Sequence, residues 1–261
     1  MTQIQRSLSI EQSLAQVRER ISEAALRAGR APEDVTLVAV SKTFTAQAVA
    51  EAIAAGQRDF GENRVEEALP KIEAIRNWRF ESRDQGMEIC WHLIGHLQSR
   101  KVKDAAGGHF ALIHSVDSLK LATTINTRIS SLQSPVSNLQ SILLECNVSG
   151  EEAKSGFALA GWEKDAAIFE AFAREAAQII ALPNLRVRGL MTVAPIVQQP
   201  TQAQPYFASL RGLRDALRER FPAVAWDHLS MGMTDDFEAA IAEGATLVRI
   251  GRAIFGQRTY A

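Results

Sequence analysis

The 261 residues are 46% hydrophobic and 23% charged, with a formal net charge of −1. This is an ordinary globular composition with apolar mass for a large core, and its charge balance gives no reason to expect nucleic acid or a membrane surface as partner. The polar, helical N-terminus has no signal-peptide apolar core, and no apolar stretch approaches the roughly 18 residues of a membrane span, so a cytoplasmic protein is expected.

A long amphipathic helix over about 9–29 opens the chain and closes at Gly29. The run Val35-Thr36-Leu37-Val38-Ala39-Val40 follows as a nearly continuous apolar strand, the pattern of burial on both faces. Lys42 stands directly behind it. A helix over 45–55 leads to a short strand in "DFGEN", then a helix over 63–77. "MEICWHL" (87–93), "HFALIHSV" (109–116), "SILLECNV" (141–148) and "LRVRGLMTV" (185–193) read as strands, each followed by a helical pattern. Asp117 is the expected cap of the helix after the second of these. "DHLSMG" is a brief strand and turn, "TDDFEAAIAEG" a capped helix, and "TLVRIG" the last strand. The stretches 131–138 and 195–205 read as surface loops. Cys90 and Cys146 lie beside strand-like sequence and are expected as free thiols in a reducing compartment.

Eight strands, centred near residues 38, 60, 91, 112, 144, 189, 229 and 248, alternate with helices. That alternation predicts parallel strands with crossover helices. Its count and length fit an α/β fold of one domain spanning 1–261, a (β/α)8 TIM-type barrel with an extra N-terminal helix; an open doubly wound sheet is the alternative. In such barrels the C-terminal strand ends carry the chemistry, and Lys42 lies there. A lysine in that place can reach solvent, form a structural ion pair, or serve as an amine nucleophile toward an aldehyde if burial lowers its pKa.

The loops after the last two strands are the second feature. "LSMGMTDD" carries Ser230, Gly232 and Thr234, and "VRIGRAIFG" carries Gly251. Paired glycine turns after strands seven and eight suit a phosphate group, although each glycine also serves a tight turn. No P-loop sequence occurs. Arg249 alternates with apolar Val248 and Ile250, so a buried guanidinium is expected, facing either the ring nitrogen of an aromatic cofactor or a carboxylate inside the barrel. His92 and His96 are four apart, but Leu93-Ile94-Gly95 between them reads as a strand exit and no further ligand is near, which argues against a metal. Arg100, Lys101 and Lys103 read as a solvated helix face, and nothing supports a hydrolase triad.

Taken in order, "VAVSKT", "FGENRVEEALPKI", "WHLIGHLQSRKVK", "IHSVDSLKLA", "NVSGEEAKSGF", "VRGLMTVAP" and "LSMGMTDDFEAAIAEGATLVRIGRAIFG" resemble the pyridoxal phosphate homeostasis proteins, single-barrel relatives of the alanine racemase N-terminal domain. The resemblance runs over roughly residues 10–257. It implies pyridoxal 5'-phosphate (PLP) held as a Schiff base on Lys42, with Arg249 at the pyridine nitrogen. Phosphate contacts would fall to Ser230, Gly232, and the backbone of Gly251 and Arg252, and Asn63 would line the pocket. Thr234 stands where relatives commonly have serine, and Arg252 where a small residue is common. The resemblance also implies a monomeric cofactor carrier without catalytic or metal-binding residues, which delivers PLP to apo-enzymes. An arginine at the ring nitrogen disfavours ring protonation and so weakens the electron sink. The tyrosine that alanine racemases draw from a second domain has no expected counterpart, Tyr206 and Tyr260 being the only tyrosines. The alternatives are a weak PLP-dependent racemase or lyase with Lys42 as base, and a phosphosugar-binding barrel in which Lys42 is an aldolase-type nucleophile.

Overall fold

The strands run parallel because each is an apolar segment returned to its neighbour by a helix. In a computed structural model that describes residues 8–81, 88–106, 108–132 and 139–257, eight of them close into a barrel. They are β1 (Thr36–Val40), β2 (Asp59–Glu62), β3 (Cys90–Leu93), β4 (Leu112–Val116), β5 (Gln140–Asn147), β7 (Leu185–Met191), β8 (His228–Ser230) and β9 (Leu247–Ile250). Neighbours pair in chain order from β1 to β5, on to β7, β8 and β9, and β9 pairs with β1 to close the ring. A two-residue strand, β6 (Phe157–Ala158), lies beside the end of β5. Closure leaves no barrel strand with an unpaired edge.

Alternation along the strands sorts the side chains into two cores. Leu37, Ala39, Val248 and Ile250 face outward into the large apolar cluster shared with the helices. Val38, Leu112, Leu143, Met191 and Leu247 form a smaller cluster of their own, contributed by strands around the ring, which is the filling of the barrel. By the same parity Arg249 faces inward from β9, paired in register with Val38.

The outer helices are α2 (Ala46–Ala54), α3 (Val65–Glu81), α4 (Val102–Ala105), α5 (Leu119–Ser130), α6 (Ala166–Ile180), α7 (Gln204–Arg220) and α8 (Phe237–Ala242); α9 (Arg252–Phe255) follows β9. A four-residue helix cannot cover the last strand. The N-terminal α1 (Ile10–Arg27) does so instead, packed against α2, α8 and α9 through buried Leu14, Val17 and Ile21. The extra helix of the sequence reading therefore stands in the position of the eighth barrel helix. Arg30 pins its end by donating to the Ile241 and Ala245 carbonyls at 3.1 and 2.8 Å.

Three local expectations change. Ser118, not Asp117, caps α5, its hydroxyl accepting from the Leu121 amide, while the Asp117 carboxylate lies 3.1 Å from His96. Asp236 precedes α8 without capping it; its carboxylate accepts from the Met233 amide, inside the preceding loop. The loop expected over 195–205 contains a 3-10 turn, Pro200–Ala203, and α7 begins at Gln204. Of the other expected loop, residues 133–138 lie outside the described residues, as does Tyr260. Both cysteines are free thiols. Among the described residues no helix is long and apolar enough to cross a membrane.

Candidate functional site

Lys42 follows β1 at the mouth of the barrel, half-buried, and its backbone is held on both sides. The peptide before it is fixed by Lys71 Nζ donating to Ser41 O at 2.8 Å, and the Ser41 amide one step earlier donates to Gly61 O at 3.0 Å. The peptide after it is fixed by Glu67, whose carboxylate accepts from the Thr43 amide. Thr43 takes a left-handed φ of 69°, unusual for a β-branched residue. Glu67 and Lys71 are one helical turn apart on α3, so a single helix face grips both peptides flanking Lys42.

The Lys71 ammonium also meets Glu62 Oε1 at 2.6 Å, and the Ser41 hydroxyl donates to that same oxygen at 2.6 Å. Both charged residues are buried. Burial pushes the Glu62 carboxyl above its ordinary value, while Lys71 and the Ser41 hydroxyl pull the other way. Glu62 Oε2 has no partner among the described residues. Glu62 lies within the "DFGEN" strand, but nothing in the local sequence marks Lys71 or Glu67 as its companions. An acid and a base four apart on a helix ordinarily read as a solvated pair.

A cavity of about 360 Å³ opens beside Lys42, lined also by Val40, Phe44, Gly251, Arg252, Gly256 and Gln257. That volume lies in the range of small-molecule sites. The first residues of α9, Arg252 and Ala253, have no intrahelical acceptor for their amides. At Gly251 a Cβ would come within 3.1 Å of Val40 O, so glycine keeps this corner open. Arg252 Nη2 donates to Asp235 in the loop after β8, at 2.6 Å and 2.5 Å from its two carboxylate oxygens.

Arg249 is buried in the barrel. Its Nη1 donates to Ser230 Oγ at 2.5 Å and its Nη2 to Thr192 O at 2.9 Å, and its amide donates to Gly232 O at 3.0 Å. Burial pulls its guanidinium down to about 10, against the raising influence of Asp236 and Glu145. It is therefore still a cation at neutral pH. Glu145, at the end of β5, is its acidic neighbour. Burial pushes that carboxyl up to about 7, Asp117 adding to the push and Arg249 opposing it. Glu145 Oε2 is buried without a partner among the described residues.

Of the sequence-predicted residues, Lys42, Gly251 and Arg252 share one cavity. Ser230 is fully buried, its hydroxyl engaged by Arg249 and by His114 Nδ1 at 2.8 Å. Gly232 holds a φ of 91° and gives its carbonyl to Arg249. Asn63 lines a different cavity, of about 320 Å³, together with Arg64, His96, Gln98, Arg100 and Lys101. Lys101 is not simply solvated, since it pairs with Glu66 at 3.0 Å. His92, next to last in β3, faces into the barrel and meets His114 at 2.9 Å.

Residues 12–259 match the family described as alanine racemase, N-terminal domain. Among curated proteins the chain is 45% identical to a pyridoxal phosphate homeostasis protein of Escherichia coli K12 over 256 residues, 97% of this chain and 98% of that one. It is 41% identical to the protein of the same name from Aquifex aeolicus, over 95% of this chain and 97% of that one. The chain belongs to the pyridoxal phosphate homeostasis protein family. Among solved structures the chain is similar to PipY of Synechococcus elongatus. Its PLP-bound form superposes with a TM-score of 0.74 at 34% identity, over 95% of this chain and 100% of that chain. An alanine racemase of Clostridium difficile shares the fold alone, with a TM-score of 0.63 at 15% identity, over 95% of this chain but 57% of the racemase.

Proposed function

We propose that this chain binds PLP as a Schiff base on Lys42 and holds it for delivery to apo-enzymes in the cytoplasm, as one monomeric barrel domain over residues 1–261. The observation that carries the reading is the presentation of Lys42. Its two flanking peptides are fixed by α3, and Lys42 lines a cavity together with Gly251 and Arg252. The curated relatives named for pyridoxal phosphate homeostasis, and the PLP-bound PipY, support it.

The residues fit the cofactor by chemistry. An amine suits the aldehyde. Backbone amides at Arg252 and Ala253, which have no intrahelical acceptor, suit phosphate oxygens, and a buried guanidinium suits the ring nitrogen. PLP supplies an electrophilic carbon and a conjugated ring that can take up electron density. Arg249 limits the second property. A guanidinium with a pKa of about 10 donates at pH 7, so a ring nitrogen held against Arg249 would accept a hydrogen bond and stay unprotonated. Holding the cofactor is thereby favoured over using it. Ser230 and Gly232 contribute by fixing Arg249, and Asn63, from the neighbouring cavity, by bounding the mouth.

The deciding experiment is the visible spectrum of the purified protein with added PLP, before and after borohydride. A yellow band that borohydride removes, with cofactor mass fixed on the Lys42 peptide and absent from Lys42→Ala, is expected. A protein that stays colourless refutes the assignment.

A further inference from the structure

Four polar side chains form a continuous string beneath Arg249, from the floor of the barrel to its mouth. Asp59 Oδ1, on β2 and partly open to solvent, lies 3.1 Å from His92 Nε2. His92 Nδ1 lies 2.9 Å from His114 Nε2, and His114 Nδ1 lies 2.8 Å from Ser230 Oγ. Ser230 Oγ ends the string at Arg249 Nη1, 2.5 Å away. His92 has room to cross the barrel because its register partner on β2 is Gly61, where a Cβ would press on Val38 and Ile94 at 3.0–3.1 Å.

Proton bookkeeping gives this string a direction. A carboxylate only accepts, so His92 Nε2 carries a hydrogen for Asp59. A guanidinium only donates, so Ser230 Oγ accepts from Arg249. With neutral rings, His92 then accepts at Nδ1, His114 donates from Nε2 and accepts at Nδ1, and the Ser230 hydrogen fills that last lone pair. Every hydrogen points from Arg249 toward Asp59. His114 is neutral on independent grounds: burial, with His92, Arg249 and His228 close by, holds it well below the ordinary histidine range. A proton added to His92 would turn the rings around, and His114 would then donate to Ser230.

We propose that Asp59, His92, His114 and Ser230 are positioning residues for Arg249, a one-way hydrogen-bond chain through which a carboxylate at the barrel floor orients the Ser230 hydroxyl and so aims the guanidinium at the mouth. The cofactor half of the inference rests on the PLP reading above; the polarity of the chain does not. Ser230 is thereby an acceptor for Arg249 and a donor to His114, with no hydrogen left for a phosphate.

The test begins without cofactor. The ring ¹⁵N shifts of His92 and His114 are expected to report neutral Nε2–H tautomers in the wild type. Asp59→Ala removes the terminal acceptor, so His114 is expected to become a tautomer mixture. The dissociation constant for PLP is then expected to rise about two- to tenfold, the worth of one hydrogen bond. Asp59→Asn keeps an acceptor of the same shape and should fall between. A wild-type His114 in the Nδ1–H form overturns the proposal, as does an Asp59→Ala protein with wild-type tautomers and wild-type affinity. A wild-type protein that binds no PLP sinks the proposed function instead, while the tautomers still decide the polarity.

Discussion

At the scale of single residues, the pair beneath Lys42 is the sharpest dependence. Lys71→Met would leave the Glu62 carboxylate buried with only the Ser41 hydroxyl, a loss that ordinarily costs roughly 3–5 kcal/mol. Denaturant unfolding should show it, and the double variant Glu62→Leu/Lys71→Met should recover most of the loss, because no lone charge remains. A single variant within ~0.5 kcal/mol of wild type would mean that the pair is not structural. Glu145 makes a prediction of the opposite sign. Its folded-state pKa of about 7 lies above the ordinary carboxylate value, so the folded protein holds this proton more tightly than the unfolded chain. The associated stability is full below about pH 4 and is lost as pH rises through about 7. Glu145→Gln should therefore be more stable than wild type above pH 7, by roughly 1–3 kcal/mol, and the advantage should vanish in acid. Equal stability of the two proteins at pH 8 would contradict the environment described for Glu145.

At the scale of elements, the two loops at the mouth depend on backbone that side chains would spoil. Gly232 combines a φ of 91° with a Cβ position 2.6 Å from Ala240 Cβ and 2.9 Å from Phe237 Cα. Alanine there would force the β8–α8 loop off α8 and drag the carbonyl that receives the Arg249 amide. Gly232→Ala should cost about 2–4 kcal/mol of stability and weaken PLP binding more than a surface substitution of the same size. Wild-type affinity in that variant would show that the loop does not set Arg249. The Arg252–Asp235 pair joins this loop to α9, but both side chains are largely exposed and the link is worth little by itself.

At the scale of the whole molecule, the barrel sets Lys42 at its mouth and the buried Arg249 inside it, and among the described residues no tyrosine lines the Lys42 cavity. Tyr206 lies on α7, on the outer layer, and Tyr260 lies outside the described residues. With Arg249 charged, exchange of the Cα proton of added amino acids should run no faster than with free PLP, as read by deuterium incorporation. Saturable exchange that disappears in Lys42→Ala would instead make the chain a racemase or lyase.

The sequence by itself determined the layout. Eight apolar strand patterns separated by helical ones carry enough period-2 and period-3.6 signal to dictate parallel strands with crossover helices, in a number that favours a barrel over an open sheet, and the position of Lys42 behind β1 follows from chain order alone. The inward face of Arg249 followed from alternation within a four-residue strand. What only the tertiary structure decided is which polar groups meet. Lys71 and Glu67 grip the Lys42 peptides because α3, packed beside α2 and β2, reaches the segment that follows β1. The string from Asp59 to Arg249 exists because β2, β3, β4, β8 and β9 each point one polar side chain at the same axis. Those residues are up to 190 positions apart, Asp59 to Arg249, and no local pattern encodes their contact. Hydrophobic periodicity acts between near neighbours and is written in the sequence, whereas hydrogen-bond partnership in a barrel is set by register and closure, which exist only once the ring is formed.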